Sequence, residues 1–207
     1  MRAPLRRLCV AAALATLVLA PATAEAMNKK EMASKVAGDE RITTTQALDV
    51  INIIFGTKPG EGLLAAELRA GRSVFIRGFG TFKPPEGDTK QPSFQPSTLL
   101  AHRAEGKVTK ADLSAVDKKT VGRLSPALRK KVAAKSGLSV AQVDAVVMAI
   151  FDARPGKGII ATELAKGGNV QIPGFGTFGM KTIRTGDTLH VEVDFASDWA
   201  LRKRPGR

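Results

Sequence analysis

The chain has 207 residues, a net charge of +13 and a pI near 10.2. That length admits one large domain or two small ones, and a charge of that sign points to a polyanionic partner or an anionic surface without specifying a fold. One cysteine, Cys9, and two histidines, His102 and His190, exclude a disulfide framework and a His/Cys metal cluster.

At the N-terminus, Arg2, Arg6 and Arg7 precede an apolar run from Leu8 to Ala20, followed by Pro21 and Ala24-Glu25-Ala26. A basic start, a short apolar middle and a small-residue exit over residues 1–26 are the pattern of a cleaved secretory signal. The run is short for a membrane span, so no stable anchor is expected. Two other readings stay open: an organelle-targeting presequence, and a true start at Met27.

A first helix is expected over Asn28 to Gly38, with Met32, Ala33 and Val36 on one side. Thr43 with Gln46 forms a capping box that opens a second helix, whose Ala47, Val50, Ile51, Ile54 and Phe55 share a face. Pro59-Gly60 is expected to stop it. A short helical piece carries Leu63, Leu64 and Leu68 and ends at Gly71. The period then changes from helix to strand at Val74 and Ile76, and Gly78-Phe79-Gly80-Thr81-Phe82 follows. Lys83 to Ser93 holds too many prolines to pair as two long strands. Phe94 to Lys107 is expected to return to the sheet and finish in a helix. The joining stretch from Val108 to Arg123 is charged, places Leu113 and Val116 on a helix, and contains Lys118 and Lys119.

From Leu124 the pattern starts again. Ser125 caps, Pro126 opens and Gly137 closes a helix. Ser139 with Gln142 makes the second capping box, before Val143, Val146, Val147, Ile150 and Phe151. Pro155-Gly156, the piece with Ile159, Ile160 and Leu164, Gly167, Val170 and Ile172 follow in turn, and then Gly174-Phe175-Gly176-Thr177-Phe178. Residues 28–82 and 124–178 align without a gap, with 21 identities in 55 positions. The chain is a tandem duplication. Its charge is uneven: +2 over 1–26, +3 over 27–108 and +8 over 109–207. The copies part company after the shared motif, because Met180 to Arg184 and Thr188 to Val193 form a hairpin about Thr185-Gly186-Asp187. Phe195 to Arg204 then ends the second copy, with Trp199 packed in a helix.

Little here suggests catalysis. Gly-Phe-Gly does not open a helix, which excludes a nucleotide loop. Glu67 and Glu163 recur between the copies, but on helix surfaces, where local ion pairs are expected. No nucleophile, carboxylate pair or metal spacing recurs.

The Met27-Asn28-Lys29-Lys30-Glu31-Met32 start, the Gly137-Leu138-Ser139 junction, Phe55, Phe151 and the two Gly-Phe-Gly-Thr-Phe motifs resemble the bacterial histone-like DNA-binding family, HU and the integration host factor. The likeness covers most of 27–107 and 124–205, joined by 108–123. It implies an α+β fold in which each copy is a helical hairpin with a small antiparallel sheet. Its fold signature is Gly78, Phe79, Gly80 and Phe82 with Gly174, Phe175, Gly176 and Phe178. The resemblance also implies dimeric pairing, here within one chain or between swapped chains, no cofactor, and double-stranded DNA as a partner without sequence preference. Family arms carry an Arg-Asn-Pro tip whose Pro wedges between base pairs.

Neither copy has that tip, so intercalative bending is expected to be weakened or lost. The Pro-Gly interruptions at 59–60 and 155–156 are a second departure. Phosphate contacts are expected from Lys118, Lys119, Arg129, Lys130, Lys131, Lys135, Lys181, Arg184, Lys203 and Arg204, with Arg207 nearby. The other function class is an exported structural or interaction module that keeps the fold without bending DNA. A cleaved signal implies a secreted or periplasmic protein; a start at Met27 implies the nucleoid and cytoplasm.

Overall fold

The protein's structure, a computed structural model, describes residues 26–39, 42–58, 60–87, 89–186 and 188–201. The expected signal segment up to Glu25, and Lys203, Arg204 and Arg207, lie outside the described residues, as does the Trp199 side chain. The first half runs α1 (Lys29–Asp39), α2 (Thr44–Phe55), α3 (Leu63–Arg69), β1 (Val74–Ile76), β2 (Gly80–Lys83), β3 (Ser93–Pro96) and α4 (Thr98–Ala104). A short joining helix, α5 (Lys110–Ser114), leads to the second half. That half runs α6 (Pro126–Ser136), α7 (Val140–Phe151), α8 (Ile159–Ala165), β4 (Val170–Ile172), β5 (Gly176–Thr185) and β6 (Thr188–Ser197), and ends in a 3-10 turn, Trp199–Leu201. Each half holds one three-stranded antiparallel sheet, ordered β1-β2-β3 or β4-β5-β6.

Local chemistry sets the helix starts. Thr43 and Ser139 each accept a backbone N–H from the residue three on, and the glutamine there accepts the cap's own N–H in return. Pro126 sits in the first turn of α6, where its missing N–H leaves no bond broken, and Gly137 closes that helix in the left-handed region. The Pro-Gly dipeptides do not stop α2 and α7, as the sequence suggested; both helices end earlier, at Phe55 and Phe151. Gly56 turns extended, and the loop folds back so tightly that a Cβ on Gly62 would lie 1.5 Å from the Gly56 carbonyl oxygen. At the matching place in the second half, Asp152 turns extended and pairs with Arg154.

The halves do not fold around separate cores. One continuous buried cluster includes Val36, Ile54 and Leu64 of the first half and Val132, Ile150 and Leu164 of the second. Nine phenylalanines occur in the chain, and eight of them form a single network of ring contacts: Phe55, Phe79, Phe82, Phe94, Phe151, Phe175, Phe178 and Phe195. Many of these contacts cross between halves. Phe79 meets Phe151 edge-on at 4.9 Å, and Phe55 meets Phe175 at 5.0 Å; residues 79 and 175, like 55 and 151, are equivalent positions of the repeat. The arrangement is an intramolecular pseudo-dimer.

The motif glycines serve this packing. A Cβ on Gly80 would lie 2.5 Å from the Gln95 carbonyl oxygen and 2.6 Å from the Phe94 ring, and Gly176 is equally crowded by Ala196 and Phe195. Any side chain there would push the third strand off its sheet.

Polar contacts follow the same near-symmetry. Lys35 Nζ lies 3.0 Å from Glu163 Oε1, and its counterpart Lys131 lies 3.0 Å from Glu67 Oε1. The repeated glutamates therefore do more than pair locally with Arg72 and Lys166; each also links the two halves. The symmetry breaks where the chain enters each half. Met27 bridges to Val170 on the edge of β4, whereas Gly122 donates its N–H to the Arg77 carbonyl at 2.7 Å. Just before it, Val121 is fully buried against Gly78. The joining stretch is thus packed against the body. It is pinned at its start by Asp112, which accepts from the His102 ring at 2.9 Å and from Thr109. Those bonds, the His102 one foremost, hold the Asp112 carboxyl down to about 2.

Two outcomes are expected. Phe79→Ala should remove about 3–5 kcal/mol, and because the rings it touches belong to both halves, urea unfolding of this variant should remain one transition. Two separable transitions would show independent cores. For Asp112, the depressed pKa means its stabilisation is present above about pH 4 and is lost as pH falls toward about 2. Asp112→Asn should flatten the acid limb of stability over that window in urea titrations run at stepped pH.

Candidate nucleic-acid interface

Each sheet turns one face to the shared core and one outward. In the first half Val74, Ile76 and Phe82 point in; Phe75, paired with Thr81, and Gln95, paired with Thr81 in turn, lie on the outward side. In the second half the equivalent outward row is Gln171, Thr177 and Ala196. Alternation then carries this row along the hairpin of β5 and β6, where Gly179 faces Asp194 and Lys181 faces Glu192. The other side of the hairpin continues the core stripe outward: Phe195 is half-buried and Val193 buried, while Val191 is 41% and Leu189 62% exposed.

The arms are unequal. β2 and β3 stop at Lys83 paired with Ser93, as the prolines implied. β5 and β6 stay paired from Gly176 with Ser197 out to Thr185 with Thr188, and Gly186 turns the chain in the left-handed region. One half has a ten-residue-per-strand arm and the other has none.

The ten expected phosphate-contact residues fall into distinct groups. Arg129 is mostly buried: its Nη1 donates to Asp144 Oδ2 at 2.6 Å, and Arg123 approaches the same carboxylate at 3.6 Å. Lys131 is held by Glu67, and Lys135 donates to the Gly60 carbonyl at 3.1 Å. Glu67 is held below the usual carboxylate range, first by its bond from Arg72 and then by Lys131. Lys130, Lys118, Lys119, Lys181 and Arg184 are exposed and take part in no ion pair among the described residues. Lys203 and Arg204 lie outside the described residues. The structure does not gather the α6 cations into one free stripe, because two of the four are tied to carboxylates.

A different group comes together instead. Arg77 Nη1 donates to Thr120 Oγ1 at 3.3 Å, which sets it beside Lys118 and Lys119 of the joining stretch. Asp117 lies there too, its carboxyl lowered chiefly by the Lys119 backbone N–H and in part by the charge of Arg77. Sequence reasoning passed over Phe75 and Arg77 as parts of the repeated motif. The usable signals were strand alternation, which turns Phe75 outward on β1, and the difference between the copies, since the second has Gln171 and Pro173 in place of Phe75 and Arg77.

Elsewhere an open crevice of about 730 Å³ is lined by Lys29, Lys58, Lys135, Asp49 and Glu61, among others. Burial lowers the Lys29 pKa, with Glu61 acting against it. Its mixed charges give no anion site. Among the described residues no group of three His, Cys, Asp or Glu is placed to hold a metal, and no single helix is long and apolar enough to cross a membrane.

The bacterial DNA-binding protein family matches this chain twice, over residues 27–99 and 125–190, together well over half of its length. The chain belongs to this family. Two matched segments on one chain agree with the two tandem units and with the α+β architecture described above. The bacterial DNA-binding protein family is one of DNA-binding proteins and not of enzymes. Comparison with curated proteins and with solved structures gives no match.

Arg129→Met should lower stability by about 2 kcal/mol, since it leaves Asp144 without its closest charged donor. Guanidinium unfolding of the chain from Met27 is the measurement, and an unchanged midpoint would show that Arg123 alone satisfies that carboxylate.

Proposed function

We propose that the chain is an architectural DNA-binding protein that contacts duplex phosphates without reading sequence and bends DNA weakly or not at all. The observation that carries this reading is a paired body of the DNA-binding family bearing a single arm. Wedging into the minor groove needs an apolar group at the arm tip. The tip here is Thr185-Gly186-Asp187, and the nearest exposed apolar side chain, Leu189, lies one residue pair back from Thr188. Lys118, Lys119, Lys130, Lys181 and Arg184 supply the phosphate contacts, with Lys203 and Arg204 as further candidates. Lys131 and Lys135 contribute only on release from Glu67 and Gly60, while Arg129 serves Asp144. Contacts of this kind act through charge alone and are equally strong on every sequence.

The second reading is an exported interaction module that keeps the fold without DNA bending. Glu192 and Asp194 favour it, because both stand on the outward row of the arm, where duplex phosphates would approach. The segment 1–26, read as a cleaved signal, favours it as well; a start at Met27 favours the nucleoid. N-terminal sequencing of the protein from its own cell decides the compartment.

Binding of the chain from Met27 to intact duplexes, followed by fluorescence anisotropy from about 50 to about 200 mM salt, separates the two functions. Five phosphate contacts give a log–log salt slope of about −4 to −5. The double variant Lys118→Gln/Lys119→Gln should make the slope shallower by about 2 on every duplex tested. Absence of salt-dependent binding at low ionic strength would leave the interaction module as the surviving function. End-to-end energy transfer on a labelled duplex should change little on binding, and a large change would contradict weak bending.

A further inference from the structure

Phe75 stands apart from every other phenylalanine in the chain. The remaining eight are in the ring network of the core, whereas Phe75 is 57% exposed on β1 between buried Val74 and Ile76. Strand alternation fixes its direction: a ring at this register cannot reach the core without turning its two neighbours out. An exposed phenylalanine contributes nothing to the packing that accounts for the others.

Its surroundings are polar and positive. Across the sheet Phe75 pairs with Thr81, which pairs with Gln95. Lys83, the next outward position of β2, pairs with Ser93. Arg77, in the turn just past the end of β1, is exposed and steadied by Thr120. Among these outward positions of β1, β2 and β3 there is no carboxylate; the nearest along the joining stretch, Asp117, is engaged by Lys119 and Thr120. The equivalent surface of the second half is of another character, with Gln171, Pro173, Ala196 and Asp194.

We propose that the outward face of β1, β2 and β3 is a stacking platform for an unpaired DNA base, with Phe75 as the stacking ring and Arg77 and Lys83 as the flanking phosphate contacts. This deepens the DNA-binding function proposed above and rests on it. An intact duplex offers the ring no base face without the cost of unstacking a step, and its phosphates gain nothing from a phenyl group. An unpaired base offers a free π-face, and stacking on an aromatic side chain is tolerant of sequence. Charge decides against a protein partner: one ring among hydroxyls, an amide and two cations is far from the apolar centre of a protein interface. Gaps, flaps and single-stranded stretches are the DNA forms that present such a base beside backbone phosphates.

The test compares the chain from Met27 with Phe75→Gln, which installs the residue the second copy carries at this register, and with Phe75→Trp. Each is titrated by anisotropy against an intact duplex and against the same duplex with a short single-stranded gap. The native chain should prefer the gapped duplex by about fivefold to a hundredfold, the range of one stacked base. Phe75→Gln should bring the ratio of the two affinities close to one, and Phe75→Trp should keep it. Stacking should also quench the added tryptophan fluorescence on gapped DNA, against a background set by Trp199 in the native chain. A gap preference that survives Phe75→Gln, or no gap preference in the native chain, overturns the platform while leaving duplex binding standing. Failure of the native chain to bind either DNA overturns both readings.

Discussion

The structure depends on the interleaving of aromatic rings from two halves of one chain. Phe82 touches Phe94 of its own half and Phe175, Phe178 and Phe195 of the other, and Phe151 sits between Phe55 and Phe79. Neither half could close this network alone, because removing one would strip a face of rings from its partner and expose it to water. A half of this size buries too small a share of its surface to offset such a loss. Fusion in one chain makes the partner's effective concentration independent of how much protein is present. The reciprocal Lys35–Glu163 and Lys131–Glu67 pairs then sit on the rim of an interface already closed by burial. They fix register more than they add stability, since their lysines are half-exposed.

Much of this body was legible in the sequence, and for a physical reason. Capping boxes such as Thr43 with Gln46 are local, their partners three residues apart, and need no knowledge of the rest of the chain. The buried faces of α2 and α7 follow from spacing alone, and so does the alternation in β1 and β4. The helix ends were misplaced because their cause is not local. Gly56 leaves the helix where Gly62 comes back against it, and no rule about Pro59 contains that contact. Likewise Glu67 and Glu163 read as surface residues making local pairs, since one helix viewed alone cannot show the lysine supplied by the other half.

Legibility falls further at the candidate site. A count of lysines and arginines sees α6 as the densest basic segment, but charge is only available to a ligand if no internal partner claims it. Arg129 is consumed by Asp144 and Lys131 by Glu67, both over distances in sequence that periodicity does not address. Lys118, Lys119 and Arg77 work in the opposite direction. They come together because the joining stretch is pinned by Asp112 at one end and by Val121 at the other, and neither anchor is visible in composition.

The pattern of identity between the copies carries a last inference about how the two halves divide their labour. Among the positions kept the same are several that face the partner half: the lysine and glutamate of the reciprocal pairs, Phe55 and Phe151, and the phenylalanines of the Gly-Phe-Gly-Thr-Phe motifs. Symmetry of packing holds these positions, since a change in one copy must be met by its counterpart across the pseudo-twofold axis. Several outward positions face no such counterpart and have parted: Phe75 against Gln171, Arg77 against Pro173, a proline-rich stub against a paired arm. A dimer of identical chains presents every outward feature twice. The fused chain escapes that restriction, so one half can extend an arm while the other offers a short, cationic, aromatic sheet face. Single copies of each feature on an otherwise paired body are what a ligand with two unlike ends, one duplex and one unpaired, would require.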